Sequence, residues 1–159
     1  MMNDRYLFKA KRIDWQEWVE ECQWIQGNLI NVEERYYLVQ CRNNSNELWI
    51  REWVEVAPST ICQCTGLKDK NRTLIWENDV VKIGTFEYLI WWNREGQEMK
   101  AVPIKGICFN GTDYYSGYNP KFTYRDFIFM MQDPYGDFIN KIEVIGSIID
   151  NPELIEVEL

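Results

Sequence analysis

Histidine does not occur anywhere in the 159 residues. Its absence removes the commonest general base near neutral pH, the commonest metal ligand, and every Ser-His or Cys-His nucleophile arrangement. Glycine is sparse, and its nine residues never approach a G-x-G-x-x-G or Walker spacing, so no phosphate-cradling loop is encoded. Cysteine is scarce and odd in number. The five residues include one short pair, Cys62 and Cys64, whereas structural zinc sites use a wider C-x-x-C type of spacing twice. A thiolate site built from that pair with Cys22, Cys41 or Cys108 is therefore not expected, and no metal or cofactor is expected.

Long apolar runs are missing too. No window approaches the roughly 20 residues needed to cross a bilayer, and MMNDRYLFKAKRIDWQEW has no stretch suited to a signal peptide. The expected location is the cytoplasm, with reduced thiols and no membrane partner. Positive charge is in short supply: 17 Lys and Arg stand against 25 Asp and Glu, a net charge of −8. After Lys105 the balance is 3 basic to 9 acidic residues. Such a chain gains nothing from neutralising phosphates, so nucleic acid is not an expected partner.

Aromatic residues, by contrast, are abundant at 15% of the chain. Aromatic and β-branched side chains fit a pleated, half-buried surface, and the dominant period is two, so a mostly β fold is expected. YYLVQC and LWIREWVEV alternate on either side of the turn-rich CRNNSNE, which reads as a hairpin. In the second run, Leu48, Ile50, Val54 and Val56 are expected on one face, with Trp49 and Trp53 on the other. FEYLIWWNREGQEMKAVPI repeats the strand, turn, strand theme, and Pro103 marks its second strand as an edge or an interruption. Gly146 inside EVIGSI marks a bulge or a close backbone approach, and DNPEL reads as one short helical turn. RIDWQEWVEECQWI and Phe122–Gln132 fit helix and strand equally.

TGLKDKNRTLIWENDVVKI, residues 65–83, sets a polar turn before an alternating run. Gly66 can take a positive φ, Asp69 and Asp79 can accept main-chain hydrogen bonds, and Asn78 tolerates a left-handed conformation. The expectation is that Gly66, Asp69, Asn78 and Asp79 define turns of the fold. The acidic groups Asp69, Glu77 and Asp79, and Asp133 with Asp137, are expected as hydrated turn residues and not as acid–base catalysts. GTDYYSGYNP places Tyr114, Tyr115 and Tyr118 among Gly, Ser and Asn, a composition suited to adaptable recognition. Those three tyrosines are the candidate binding loop.

Three blocks resemble the YopX family of small phage and prophage proteins. FKAKRIDWQEWV is similar to the family's opening strand, short turn and E-W-V. VAPSTICQCTGLKDKNRTLIWENDVVKI resembles its T-G-L-x-D-K-N-G-x-x-I-Y/F-E-G-D-I/V-V pattern. EVIGSIIDNPELIE resembles its closing V-I-G-N-I-x-x-N-P-E-L. Together they cover about a third of the chain, in the family's order. Arg72 and Asn78 stand where the family usually has Gly, and Trp76 stands where Tyr or Phe is common.

The resemblance implies a mostly β, phage-encoded protein of unknown biochemical function. The expected organisation is one domain over residues 1–159. It has a β-rich N-terminal lobe (1–58) and a part (59–159) holding a small SH3-like β-barrel, a C-terminal strand and a short helical turn. Strands over Val80–Ile83, Phe86–Trp92 and Glu143–Ile148 are expected in that barrel. With histidine absent, a non-enzymatic binding or adaptor module is the leading expectation. Its partner would be a host or phage protein in the bacterial cytoplasm, or a second copy of the chain. An oligomeric assembly protein is the alternative, followed by a nucleic-acid effector or an enzyme.

Overall fold

Alternating segments become strands in a computed structural model that describes residues 6–44, 47–84, 86–93, 95, 98–105 and 141–155. The chain forms two compact units, Met1–Cys64 and Thr65–Leu159. Their boundary falls beyond Pro58, inside a strand. The tyrosines Tyr114, Tyr115 and Tyr118, the segment Phe122–Gln132, and Asp133 and Asp137 lie outside the described residues.

The first unit contains β1 (Phe8–Lys11), β2 (Trp24–Val32), β3 (Arg35–Asn44), β4 (Glu47–Glu55) and the start of β5 (Cys62–Lys68). They pair antiparallel in the order β4-β3-β2-β1-β5. RIDWQEWVEECQWI settles its ambiguity by dividing. Trp15–Glu17 is a single 3-10 turn, Glu20–Gln23 forms α1, and Trp24 already starts β2. The β3–β4 hairpin is present, but its register shifts between Gln40 and Cys41, which face Glu52 and Ile50. Arg51 is left unopposed. Strict alternation cannot be carried across such a bulge. Beyond the bulge, Val54 and Val56 join Ala10, Ile25 and Leu38 in the core, and Trp53 faces solvent.

The ends of β1 and β4 also meet. Arg12 bridges Val56, the Ile13 N–H donates to the Glu55 carbonyl at 3.0 Å, and the Ala57 N–H donates to the Lys11 carbonyl at 2.9 Å. This is a corner contact, so the sheet curls without a full ladder closing it.

The second unit holds the tail of β5, then β6 (Leu74–Trp76), β7 (Asp79–Ile83), β8 (Phe86–Asn93), β9 (Glu98–Lys105) and β10 (Glu143–Ser147). The last four form an antiparallel sheet ordered β10-β7-β8-β9. Its core is Ile75, Val81, Tyr88, Ile90, Met99, Ala101 and Ile142. Burial pushes the Tyr88 hydroxyl up from its ordinary pKa, so it stays neutral. Val80–Ile83, Phe86–Trp92 and the strand beginning at Glu143 do lie side by side. Among the described residues they form an open sheet, and no closed barrel is present there. β9 and β10 form its two edges, and no ladder joins them.

Pro103 lies on the edge strand β9, where its missing N–H costs least. The register there slips between Glu87 and Tyr88, which face Lys105 and Pro103. Gly146 lies at a bulge on β10, because Val144 faces Val81 and Gly146 faces Val80. A Cβ on Gly146 would stand 2.9 Å from Leu154 Cδ1 and 3.0 Å from Asn151 Oδ1. Bulge and close approach therefore coincide, and the approaching atoms belong to the DNPEL segment, which runs into the 3-10 turn Pro152–Ile155. No helix among the described residues is long and apolar enough to cross a membrane.

One turn departs from ordinary turn chemistry. Glu33 and Glu34 join β2 to β3 with φ of 50° and 66°, and Val32 faces Arg35 across the loop. A two-residue loop with both φ positive favours Asn-Gly, and two glutamates there store strain and set like charges side by side. Replacing Glu33→Asn together with Glu34→Gly is expected to stabilise the chain by about 1 kcal/mol, read as a higher urea midpoint at unchanged slope. An unchanged or lowered midpoint would show that the turn carries no strain.

Candidate functional site

Residues 65–79 form a network of main-chain bonds in the second unit. Gly66 has φ of +77° and sits within β5, where a β-carbon would be strained. Beside it, the Thr65 hydroxyl donates to the Ile75 carbonyl at 2.7 Å and accepts the Leu67 N–H at 3.1 Å. The reversal itself comes later than Gly66. The Arg72 N–H donates to the Asp69 carbonyl and the Asp69 N–H to the Thr73 carbonyl, both at 2.9 Å.

Asp69 closes this turn with its side chain. Oδ1 accepts the N–H groups of Asn71 at 2.8 Å and Thr73 at 2.9 Å. Oδ2 accepts the Val144 N–H at 3.1 Å, from a strand 75 positions away. The turn is also fastened to the chain around β10 by the Lys70 N–H, 2.8 Å from the Ile142 carbonyl, and by an ion pair between Lys70 and Glu143. That ion pair is well exposed and contributes little.

The next turn, between β6 and β7, uses Asn78 and Asp79. Asp79 Oδ2 accepts the Trp76 N–H at 2.8 Å. Asn78 has φ of 68°, and Arg72 has 65°. Both residues that replace a family glycine thus hold left-handed angles, more easily borne by Asn than by Arg. The Asn78 N–H donates to the Ile90 carbonyl at 2.7 Å, and its own carbonyl accepts the Ile148 N–H at 2.9 Å.

Asp69 and Asp79 are 4% and 2% exposed, so the expectation of hydrated turn carboxylates is corrected. A carboxylate survives burial when several N–H donors surround it, and each of these two is aimed at main-chain N–H. Glu77 is half-buried. Cys62 and Cys64 are buried on one side of β5, Cys62 donates to the Thr60 carbonyl at 3.4 Å, and Cys22 is exposed. Among the described residues no three Asp, Glu, Cys or His side chains gather as a metal site would need. Cys108 lies outside those residues, as does the side chain of Cys41.

A second grouping, in the first unit, was not singled out from the sequence. It is a stack of cations and indoles at the neck of the Arg12–Trp24 segment. The Lys11 Nζ lies 4.2 Å from the Trp15 ring centre and 5.5 Å from that of Trp24, and Lys9 Nζ is 5.0 Å from Trp24. The Arg12 guanidinium lies 4.2 Å from the Trp18 ring centre. Lys11 is buried; its Nζ donates to Gln23 Oε1 at 3.3 Å, and its N–H donates to the Thr60 hydroxyl at 2.9 Å. Arg12 Nε donates to the Cys22 carbonyl at 3.2 Å, and Gln23 Nε2 donates to the Trp18 carbonyl at 3.1 Å. These bonds hold a surface segment that has no core of its own. The available signal was the interleaving of basic residues with tryptophans across Lys9–Trp24, which the eye reads as an undecided helix or strand.

These features define a two-unit, mostly β protein whose buried carboxylates hold turns together and whose first unit carries a braced, aromatic surface segment. The family described as YopX protein matches residues 8–156, nearly the whole chain, and the protein belongs to that family. No curated protein sequence matches it.

The turn network makes a ranked prediction. Asp69→Ala leaves three N–H groups without their acceptor, so it is expected to cost about 2–4 kcal/mol, and Asp79→Ala about 1–2 kcal/mol. Gly66→Ala should cost about 1 kcal/mol or more, because φ is positive there. Arg72→Gly and Asn78→Gly should be neutral or stabilising by up to about 1 kcal/mol. Urea unfolding of the five variants checks the order. Equal midpoints for Asp69→Ala and the parent protein would remove the carboxylate from its structural role.

Proposed function

We propose that this YopX-family chain is a phage- or prophage-encoded binding module that works in the cytoplasm of the host bacterium and has no chemical step of its own. The observation that carries this is the exposure of Ile13, Trp18 and Val19 on a segment whose neck is held by hydrogen bonds and cation–ring stacks. Large exposed apolar side chains close together on a braced segment of chain suit a recognition site. The commitment of Asp69 and Asp79 to main-chain N–H groups supports the same assignment, because it leaves the best-buried carboxylates with structural work. In the second unit, adjacent antiparallel strands share one core, which supports an SH3-like architecture, a fold class that serves binding as readily as catalysis.

The test is capture from infected or induced host cells with the whole tagged chain, followed by reconstitution from purified components. One host or phage protein is expected to co-purify and to bind the isolated chain directly. Native mass measurement separates this from self-assembly. A chain that binds nothing, or that turns over a substrate when purified, overturns the proposal.

A further inference from the structure

We propose that residues 12–24 form a docking knob for a protein partner that offers an apolar pocket ringed by lysine and arginine. The inference rests on the binding-module proposal and adds the partner's chemistry. Three features of the segment carry it.

The first is apolar exposure. Val19 is 66% exposed, Ile13 51% and Trp18 41%, within seven positions of the chain. Other exposed apolar side chains of this unit, such as Tyr6 and Val32, are set apart from them in sequence, and single exposed apolars are ordinary on protein surfaces.

The second is preorganisation. The Arg12 N–H donates to the Gln23 carbonyl at 3.0 Å, which joins the two ends of the segment. The Trp18 N–H donates to the Trp15 carbonyl at 3.1 Å, and the Trp18 carbonyl accepts from Gln23 Nε2. Arg12 lies against the Trp18 ring, so the indole is positioned before any partner arrives. Holding an aromatic anchor in place removes part of the ordering entropy that binding would otherwise cost.

The third is charge. Asp14, Glu17, Glu20 and Glu21 are all exposed and interleave in sequence with the apolar residues, and the ion pairs among the described residues, Arg35–Glu55 and Lys70–Glu143, lie elsewhere. Complementarity then selects the partner. A polyphosphate chain or an anionic lipid surface is repelled by this rim. A second copy of the chain is disfavoured as well, because a symmetric contact would bring the two acidic rims together and each chain already carries a charge of −8. A basic protein surface with a central apolar pocket satisfies both parts of the knob, the anchor buried at the centre and the carboxylates paired at the margin.

The probes are two synthetic peptides with the same apolar positions, one carrying lysine and the other glutamate at every remaining position. Their binding to the full-length protein is read by fluorescence anisotropy of the labelled peptide. The lysine peptide is expected to bind with an affinity that falls as salt rises, and the glutamate peptide at least about tenfold more weakly. Trp18→Ala should weaken the lysine peptide by about tenfold or more. Glu20→Lys with Glu21→Lys should reverse the preference between peptides. All three positions are exposed, and Val19→Ser supplies an independent loss of apolar surface; unchanged urea midpoints certify that the variants fold.

Equal affinity for both peptides, no binding of either, or binding unaffected by Trp18→Ala and Val19→Ser would overturn the proposal. So would a dimer that Trp18→Ala dissolves, or preferential binding of a DNA oligonucleotide. If the whole chain still captures a partner from cells while the peptides fail these tests, only the partner chemistry is lost. Failure of the capture removes the binding-module proposal itself.

Discussion

Three main-chain N–H groups, from Asn71, Thr73 and Val144, converge on the single carboxylate of Asp69. Two of them belong to its own turn and the third to a strand far away in sequence. One small side chain therefore closes a reversal and ties that reversal to the edge of a sheet. The arrangement needs a short side chain with two acceptor oxygens: Glu would displace the oxygens by one methylene, and Asn would set an amide N–H against one of the three donors. Around this point the second unit becomes specific. The Lys70 main chain bonds the Ile142 carbonyl, Asn78 bonds both Ile90 and Ile148, and the core residues Ile75 of β6, Val81 of β7 and Ile142, just before β10, are brought together. The hydrophobic effect supplies most of the driving force for that core, but it is non-directional. Fixed acceptors decide which turn faces which strand.

The first unit solves a different problem by different means. Its surface segment is too short for a core and too polar to collapse. Stacked cations and indoles hold it: Lys9 and Lys11 over Trp24, Lys11 over Trp15, and Arg12 over Trp18. Each contact is worth about 0.5–2 kcal/mol, less where water reaches the cation. The gain is positional as much as energetic, because the same contacts aim Trp18 outward. The curl that brings Arg12 beside Val56 places the root of this segment at a corner of the sheet, where two strand ends brace it.

Much of the strand pattern was legible in the residues. Alternation located β3, β4, β8 and β9, Pro103 located an edge, and Gly146 located a bulge with a close approach. Each of these signals is local, since it depends on where a side chain points or on an N–H that proline lacks. β2 was missed. WIQGNLINV is flanked by Glu33-Glu34, which carries no turn signature, and its start was hidden in a tryptophan-rich stretch that fits two periods. The bulge at Arg51 was likewise invisible, because an extra residue in one strand is defined only by its partner strand. At the candidate sites, a turn-building role for Asp69 and Asp79 could be read from residue type. Their burial could not, because it is created by elements distant in sequence.

The sequence by itself determined the class of structure and the chemical vocabulary. Its period of two and its aromatic content called for sheets, its missing histidine removed any Ser-His or Cys-His pair, and its three motif blocks placed it in the YopX family. Tertiary structure decided register, closure and exposure. It set the strands in the order β10-β7-β8-β9, moved Asp69 from water into a cage of N–H donors, and left Trp18 at the surface while Trp76 went inside. The physical reason is range. Propensity and alternation act over a few residues, whereas pairing partners, bulges and burial are set by contacts between segments that only folding brings together.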